Sequence, residues 1–170
     1  MPDRPLAFDP IEEARRQWLA RGWKDAAPGM AAITSIMRAE QILLSRVDEV
    51  LRPFELTFAR YEALTLLSFS REGALPLSKV GQRLQVHPTS VTNTIDRLEG
   101  QGLARRVPHP TDRRTTLAEI TTEGRALVAK ATEALNRDAF SDTGLADREL
   151  TDLFRLLRKM RQAAGDFAGR

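Results

Sequence analysis

Apolar positions along this chain fall mostly at three- and four-residue steps, the spacing of a helix face, and change to short strand-like runs only in one central stretch. Between Gly29 and about Leu51, Ile33, Ile36, Met37, Leu43, Leu44, Val47, Val50 and Leu51 keep helical spacing, leaving Arg38, Arg46 and Asp48 to other faces; Pro53 ends the run. Phe58, Tyr61, Leu64 and Leu67 predict a second helix, from Thr57 to about Phe69, stopped by Gly73 and Pro76. Two short helices follow, at about Ser78–Leu84 and Pro88–Glu99. Ser78 can cap the first, and Pro88 suits the first turn of the second, where its missing N–H would have had no partner. After Gly100 and Gly102, the segments Leu103–Val107 and Thr115–Ile120 read as strands joined by the turn Pro108-His-Pro-Thr-Asp-Arg-Arg114. Thr121 opens a helix reaching about Phe140. Beyond the break at Asp142-Thr-Gly144, a last helix at about Ala146–Phe167 carries Leu150, Leu153, Phe154, Leu157, Met160, Ala164 and Phe167 on one stripe. Ahead of all these, Asp9-Pro10 starts a short helix to about Arg21, and Trp18 and Trp23 are too apolar for a free tail, so this piece is expected to dock.

The layout predicts a mostly α fold with a small two- to three-stranded β wing. A winged helix-turn-helix lobe occupies 55–121, an extension 1–28, a dimerisation helix 29–54, and C-terminal dimerisation helices 122–170. Dimerisation follows from the stripes: two long helices at opposite chain ends cannot both be hidden by a unit of about 65 residues, so they are expected to meet a second copy. The alternative is a monomeric helical cap.

Composition narrows the chemistry. The 170 residues contain no cysteine and only two histidines, His87 and His109, which leaves no thiolate nucleophile, no thiol redox sensor and no histidine-rich metal site. No phosphate-cradling glycine loop occurs, nor any nucleophile beside a histidine. Neither an enzyme nor a metal or other cofactor is expected. No apolar run approaches the roughly 20 residues of a membrane span, and the N-terminal residues lack a signal-peptide pattern, so a cytoplasmic protein is expected, without a membrane partner.

Charge singles out the central unit. The net charge is only +3, yet Leu75–Arg114 holds seven basic residues (Lys79, Arg83, Arg97, Arg105, Arg106, Arg113, Arg114) against Asp96, Glu99 and Asp112, a local balance of +4. A basic focus in an otherwise slightly acidic chain is the footprint expected for a polyanion. On the helix Pro88–Glu99, Val91, Ile95 and Leu98 form the apolar stripe, and Thr89, Ser90, Thr92, Asn93 and Arg97 lie outside it. Those small hydroxyls, the amide and the guanidinium are side chains that read base edges or hold phosphate, with Lys79 and Arg83 of the preceding helix placed for phosphate. Taken alone, the helix reads equally well as amphipathic with a solvated polar face. The hairpin beside it tips the balance, because arginine on such a tip can enter the minor groove, where the potential is most negative. Arg113 and Arg114 are the candidates, and Asp112 is expected to pair with Arg114 across the turn. The competing reading is a winged helix used only to bind proteins, which would need neither the polar helix face nor the two arginines.

In these motifs the chain resembles the MarR family (multiple antibiotic resistance regulators), over about Met30 to Ala164. The wing Asp112-Arg113-Arg114 with Thr115-Thr-Leu-Ala-Glu-Ile120-Thr121 fits the family's pattern, as do Val91-Thr-Asn-Thr-Ile-Asp-Arg-Leu-Glu99, Gly102-Leu103 and Arg106. His87-Pro88 departs from the serine or threonine usual at that cap, and the 28-residue extension exceeds the family core. The resemblance implies a homodimer on inverted-repeat double-stranded DNA, with Pro88–Glu99 in the major groove and Arg114 in the minor groove. It further implies repression relieved by a small, often aromatic or acidic, effector, or an acyl thioester. The family's pocket would form near Arg38, Phe54, Phe58 and Tyr61, of which the three aromatics read equally as core.

Overall fold

The structure, a computed structural model, describes residues 5–112 and 114–168. Helix α1 (Pro10–Ala20) starts where the Asp9 carboxylate accepts the Ile11 N–H at 2.8 Å. At the corner after it, the Trp18 and Trp23 rings meet edge to face at 5.2 Å, and α1 folds back along helix α2 (Ala27–Leu51). The extension therefore docks, and on this chain's own long helix. A single 3₁₀ turn, Arg52–Phe54, closes α2, and Glu55 at φ 54° turns the chain into α3 (Phe58–Ser68). The first N–H of α3 is satisfied from outside: Asp48 of α2 accepts from Phe58 N–H at 2.9 Å, while Thr57 makes no cap.

The central unit has the expected order, and the third strand allowed for in the wing lies ahead of the helix-turn-helix. Strand β1 (Ala74–Pro76) runs straight into α4 (Leu77–Leu84), and α5 (Pro88–Gly100), β2 (Ala104–Pro108) and β3 (Thr116–Ile120) follow. The sheet is antiparallel in the order β1-β3-β2, with Leu75 opposite Ala118 and Arg105 opposite Glu119. Because β1 leads directly into the helix, α4 starts at Leu77 and Ser78 lies inside its first turn, not at its cap. Helix α6 (Thr122–Leu135) is capped by Thr121, whose hydroxyl accepts the Gly124 N–H at 3.0 Å. Gly124 presses against the Leu103 carbonyl so closely that any Cβ would collide with it, which fixes α6 on the wing's base.

One core joins these elements. Leu51, Leu64, Leu67, Val80, Ile95, Leu98 and Leu135 are fully buried and come from α2, α3, α4, α5 and α6. Helix α6 ends in a π-helical turn, Asn136–Phe140, which Arg46 of α2 grips. Its guanidinium donates to the Asp138 carbonyl at 2.7 and 3.1 Å, the Asp142 carbonyl at 2.5 Å and the Asp142 carboxylate at 2.9 Å. Helix α7 (Asp147–Ala163) has no fully buried side chain: Leu150 and Leu157 are half-buried and the rest of its stripe is in solvent, with Phe154 64% exposed. Apolar residues of α2, Ile33 and Met37 among them, are exposed too. No helix among the described residues is long and apolar enough to cross a membrane.

Candidate nucleic-acid interface

Helix α5 turns Val91, Ile95 and Leu98 into the core and leaves Thr89, Ser90, Thr92, Asn93 and Arg97 exposed. Its start is capped after all: His87 supplies the acceptor through Nδ1, which takes the Thr89 N–H at 3.3 Å, a ring nitrogen doing what a hydroxyl usually does. Lys79 and Arg83 are exposed on α4, Arg83 in its last turn. The five α5 residues thus share one open face of a helix, beside two cations of the preceding one.

The wing tip is ordered by its own polar groups. His109 Nδ1 accepts the backbone N–H of Thr111 at 3.3 Å and of Asp112 at 3.2 Å. The Asp112 carboxylate then accepts the Arg114 backbone N–H at 3.0 Å and the Thr115 hydroxyl at 2.7 Å. Those two bonds, Thr115 first, with the nearby His109, hold its pKa below the ordinary value. The expected pairing with the Arg114 guanidinium is therefore corrected. Asp112 staples the turn's backbone, since a carboxylate two residues back reaches the N–H before the distant side-chain end. The Arg114 side chain is left exposed. Arg113 lies outside the described residues.

Two of the seven basic residues are spent internally, which the charge count alone could not reveal. Arg105 Nε donates to the Glu119 carboxylate at 2.8 Å across the sheet. Arg106 bridges from β2 to α5, at 2.6 Å from both Asp96 and Glu99, and Glu99 also accepts the Arg106 backbone N–H at 2.9 Å. That N–H, then the guanidinium, lowers the Glu99 pKa. Sequence reasoning counted Arg106 with the basic residues and the family motif but missed this structural clamp; the signal was a residue pair, Asp96 and Glu99, three apart on one helix. With these pairs closed, Lys79, Arg83, Arg97 and Arg114 remain as the outward cations of this unit among the described residues.

Of the four residues expected around an effector, only Phe58 and Tyr61 meet, their rings stacked with centroids 6.3 Å apart. Tyr61 is buried, its hydroxyl 3.0 Å from that of Thr132, and Phe54 packs half-buried on the core. Arg38 is exposed and bonds Gln41 at 3.2 Å. Only Phe58 reaches a cleft of about 550 Å³ between α2, the π-helical turn and α7, lined also by Leu43, Val47, Phe140 and Leu157.

Comparison with known proteins agrees with this geometry. The MarR family profile matches residues 56–116, from α3 through the helix-turn-helix to the start of β3. The chain is 34% identical over 114 residues to an uncharacterized HTH-type transcriptional regulator, YhbI of Bacillus subtilis strain 168, covering 67% of this chain and 71% of that one. It resembles the crystal structure of Sco5413, a MarR family transcriptional regulator from Streptomyces coelicolor, at 55% identity and a TM-score of 0.76, over 84% of this chain and 99% of that one. A mutant of MarR from E. coli, crystallised with operator DNA, matches at 25% identity and a TM-score of 0.70, over 75% and 91% of the two chains. With the same winged lobe and a relative of this identity and coverage, the chain is a transcriptional regulator that belongs to the MarR family.

Proposed function

We propose that the protein is a dimeric, sequence-specific DNA-binding regulator that represses transcription until a small organic ligand releases it. The observation that carries this reading is the exposed polar face of α5 set beside a wing whose backbone is stapled with Arg114 pointing free. On this reading Thr89, Ser90, Thr92, Asn93 and Arg97 contact base edges and Lys79 and Arg83 hold phosphate. Asp112 shapes the wing that carries Arg113 and Arg114 to the minor groove. Dimerisation is supported by the uncovered apolar residues on α2 and α7, and predicts an inverted repeat with half-sites about 10 bp apart. The ligand reading rests on the cleft between α2 and α7, whose lining is nearly all apolar. Arg46 at its rim is committed to Asp138 and Asp142, so an acidic effector would need another cation.

The test is selection of bound duplexes from a random-sequence pool, followed by gel shifts with the selected site. A palindromic consensus is expected, and Asn93→Ala should weaken it by about 1–3 kcal/mol and blur preference at particular positions. An Asn93→Ala protein with unchanged sequence preference would remove α5 from the groove. Aromatic acids or acyl thioesters added to the same gel should release the duplex; if none does, the ligand part of the reading falls alone.

A further inference from the structure

The segment after α7 is tied to the turn of the helix-turn-helix. The Asp166 carbonyl accepts the Gln85 side-chain N–H at 2.6 Å, and Gln85 is the left-handed residue that ends α4, two positions before the His87 cap of α5. The tail is held in that place from α7. Arg161 Nε pairs with the Asp166 carboxylate at 2.6 Å, and the Arg158 and Arg161 guanidiniums lie over the Phe167 ring at 5.0 and 5.5 Å. The contact therefore sets the basic end of one helix beside the start of the proposed reading helix.

The sequence of that end is one-signed. Arg155, Arg158, Lys159 and Arg161 follow one another without an acid; Lys159 falls opposite Leu157 on α7, with Arg155 beside it, and Arg158, four residues after Phe154, flanks the apolar stripe. Asp152 engages Arg155 and Asp166 engages Arg161, whereas Arg158 and Lys159 have no carboxylate in reach among the described residues. Arg158 is also pre-positioned, its guanidinium resting on the half-buried Phe167.

We infer that the end of α7 is a further DNA contact, in which Arg158 and Lys159 hold the phosphate backbone alongside the groove that α5 enters. The inference rests on the DNA-binding reading above and adds a surface that neither the helix face nor the wing supplies. Duplex backbone is the fitting partner because Asp166 bonds the turn that delivers α5 and the next residue, Phe167, carries the Arg158 guanidinium on its ring, so the cationic end of α7 leads to the side of the lobe that α5 would present to a duplex. The plainer account is that cations at a helix C-terminus complement its dipole. That account predicts an effect on helix stability and none on how binding responds to salt.

The experiment measures affinity for the selected duplex against salt for the wild-type dimer and the Arg158→Gln/Lys159→Gln double variant. Each lost phosphate contact removes about 0.9 from the slope of log K against log salt, so two per chain, four in the dimer, would remove about 3.6, with sequence preference unchanged. An unchanged slope overturns the inference. Should the double variant fail to fold, the cysteine-free chain allows a second reading: Lys159→Cys carrying an iron–EDTA cleavage reagent should cut the bound duplex, as Thr111→Cys on the wing should. Cutting from position 111 and none from position 159 overturns the inference while leaving the DNA-binding reading intact. A wild-type protein that retards no duplex at all removes both.

Discussion

Glu62 on α3 is half-buried beside Val80, Val91 and Ser90, and burial alone raises its pKa above the ordinary carboxylate value. Between the unfolded and the raised folded pKa, the folded form is therefore the more protonated of the two. The folded state is favoured in acid, and that contribution is lost as pH rises through the raised pKa. Glu62→Gln, which keeps the shape and drops the charge, should unfold at a higher temperature than the parent at neutral pH. Below the carboxylate range the two should match. Thermal unfolding at two pH values checks this, and equal stability at both would mean that the folded carboxylate is as well solvated as the unfolded one. Burial of this kind is hard to see in sequence, because Glu62 sits one residue from the core positions Tyr61 and Ala63 and reads as solvent-facing by spacing. The same limit applied to Asp112 and His87. Asp112 was legible as a turn residue and His87 only as a departure from the serine or threonine usual at its cap, and which atom each would bond depended on where the backbone N–H groups came to lie.

Among elements, the helical stripes were legible because they cover two or more turns, whereas β1 was not. Three residues, Ala74–Pro76, show no alternation, and they become a strand only because β3 offers them an edge. The link between α5 and the wing was likewise hidden, since Arg106 counted as one more surface cation until Asp96 and Glu99 closed on it. This clamp ties α5 to β2. Arg106→Met should leave two carboxylates facing an apolar side chain and cost about 1 kcal/mol, a figure kept small because Asp96 and Glu99 remain partly in water. A double-mutant cycle with Glu99→Gln measures the coupling. Coupling near zero would show that the hairpin keeps its place through the sheet and the Gly124 contact alone. If the clamp orients α5, DNA affinity should fall further than stability does.

At the scale of the whole molecule, the chain has more apolar surface than its own core can cover. Met37 on α2 is 60% exposed and Phe154 on α7 64%, and α7 has no fully buried side chain. A single copy gains little from a helix of this kind, since apolar side chains left in water forgo the main favourable term in folding. The sequence foretold the excess, because two stripes at opposite ends of the chain outrun a lobe of this size. It could not say which residues meet, since a symmetric interface is fixed by shape and not by period. Two-fold symmetry makes each substitution count twice. Burying a phenylalanine is worth about 2–3 kcal/mol, so Phe154→Glu should cost a dimer about 4–6 kcal/mol and weaken association by about 10³- to 10⁴-fold. Light scattering across a dilution series should then give a monomer of 19.0 kDa at concentrations where the parent gives twice that mass. Because the lobe's core draws on α2 through α6 and not on α7, the variant should keep its unfolding cooperativity and lose affinity for an inverted repeat, binding a half-site as weakly as one lobe allows. A Phe154→Glu protein that stays dimeric on dilution would place the interface on α2 and the N-terminal extension, and leave α7 to the cleft it borders.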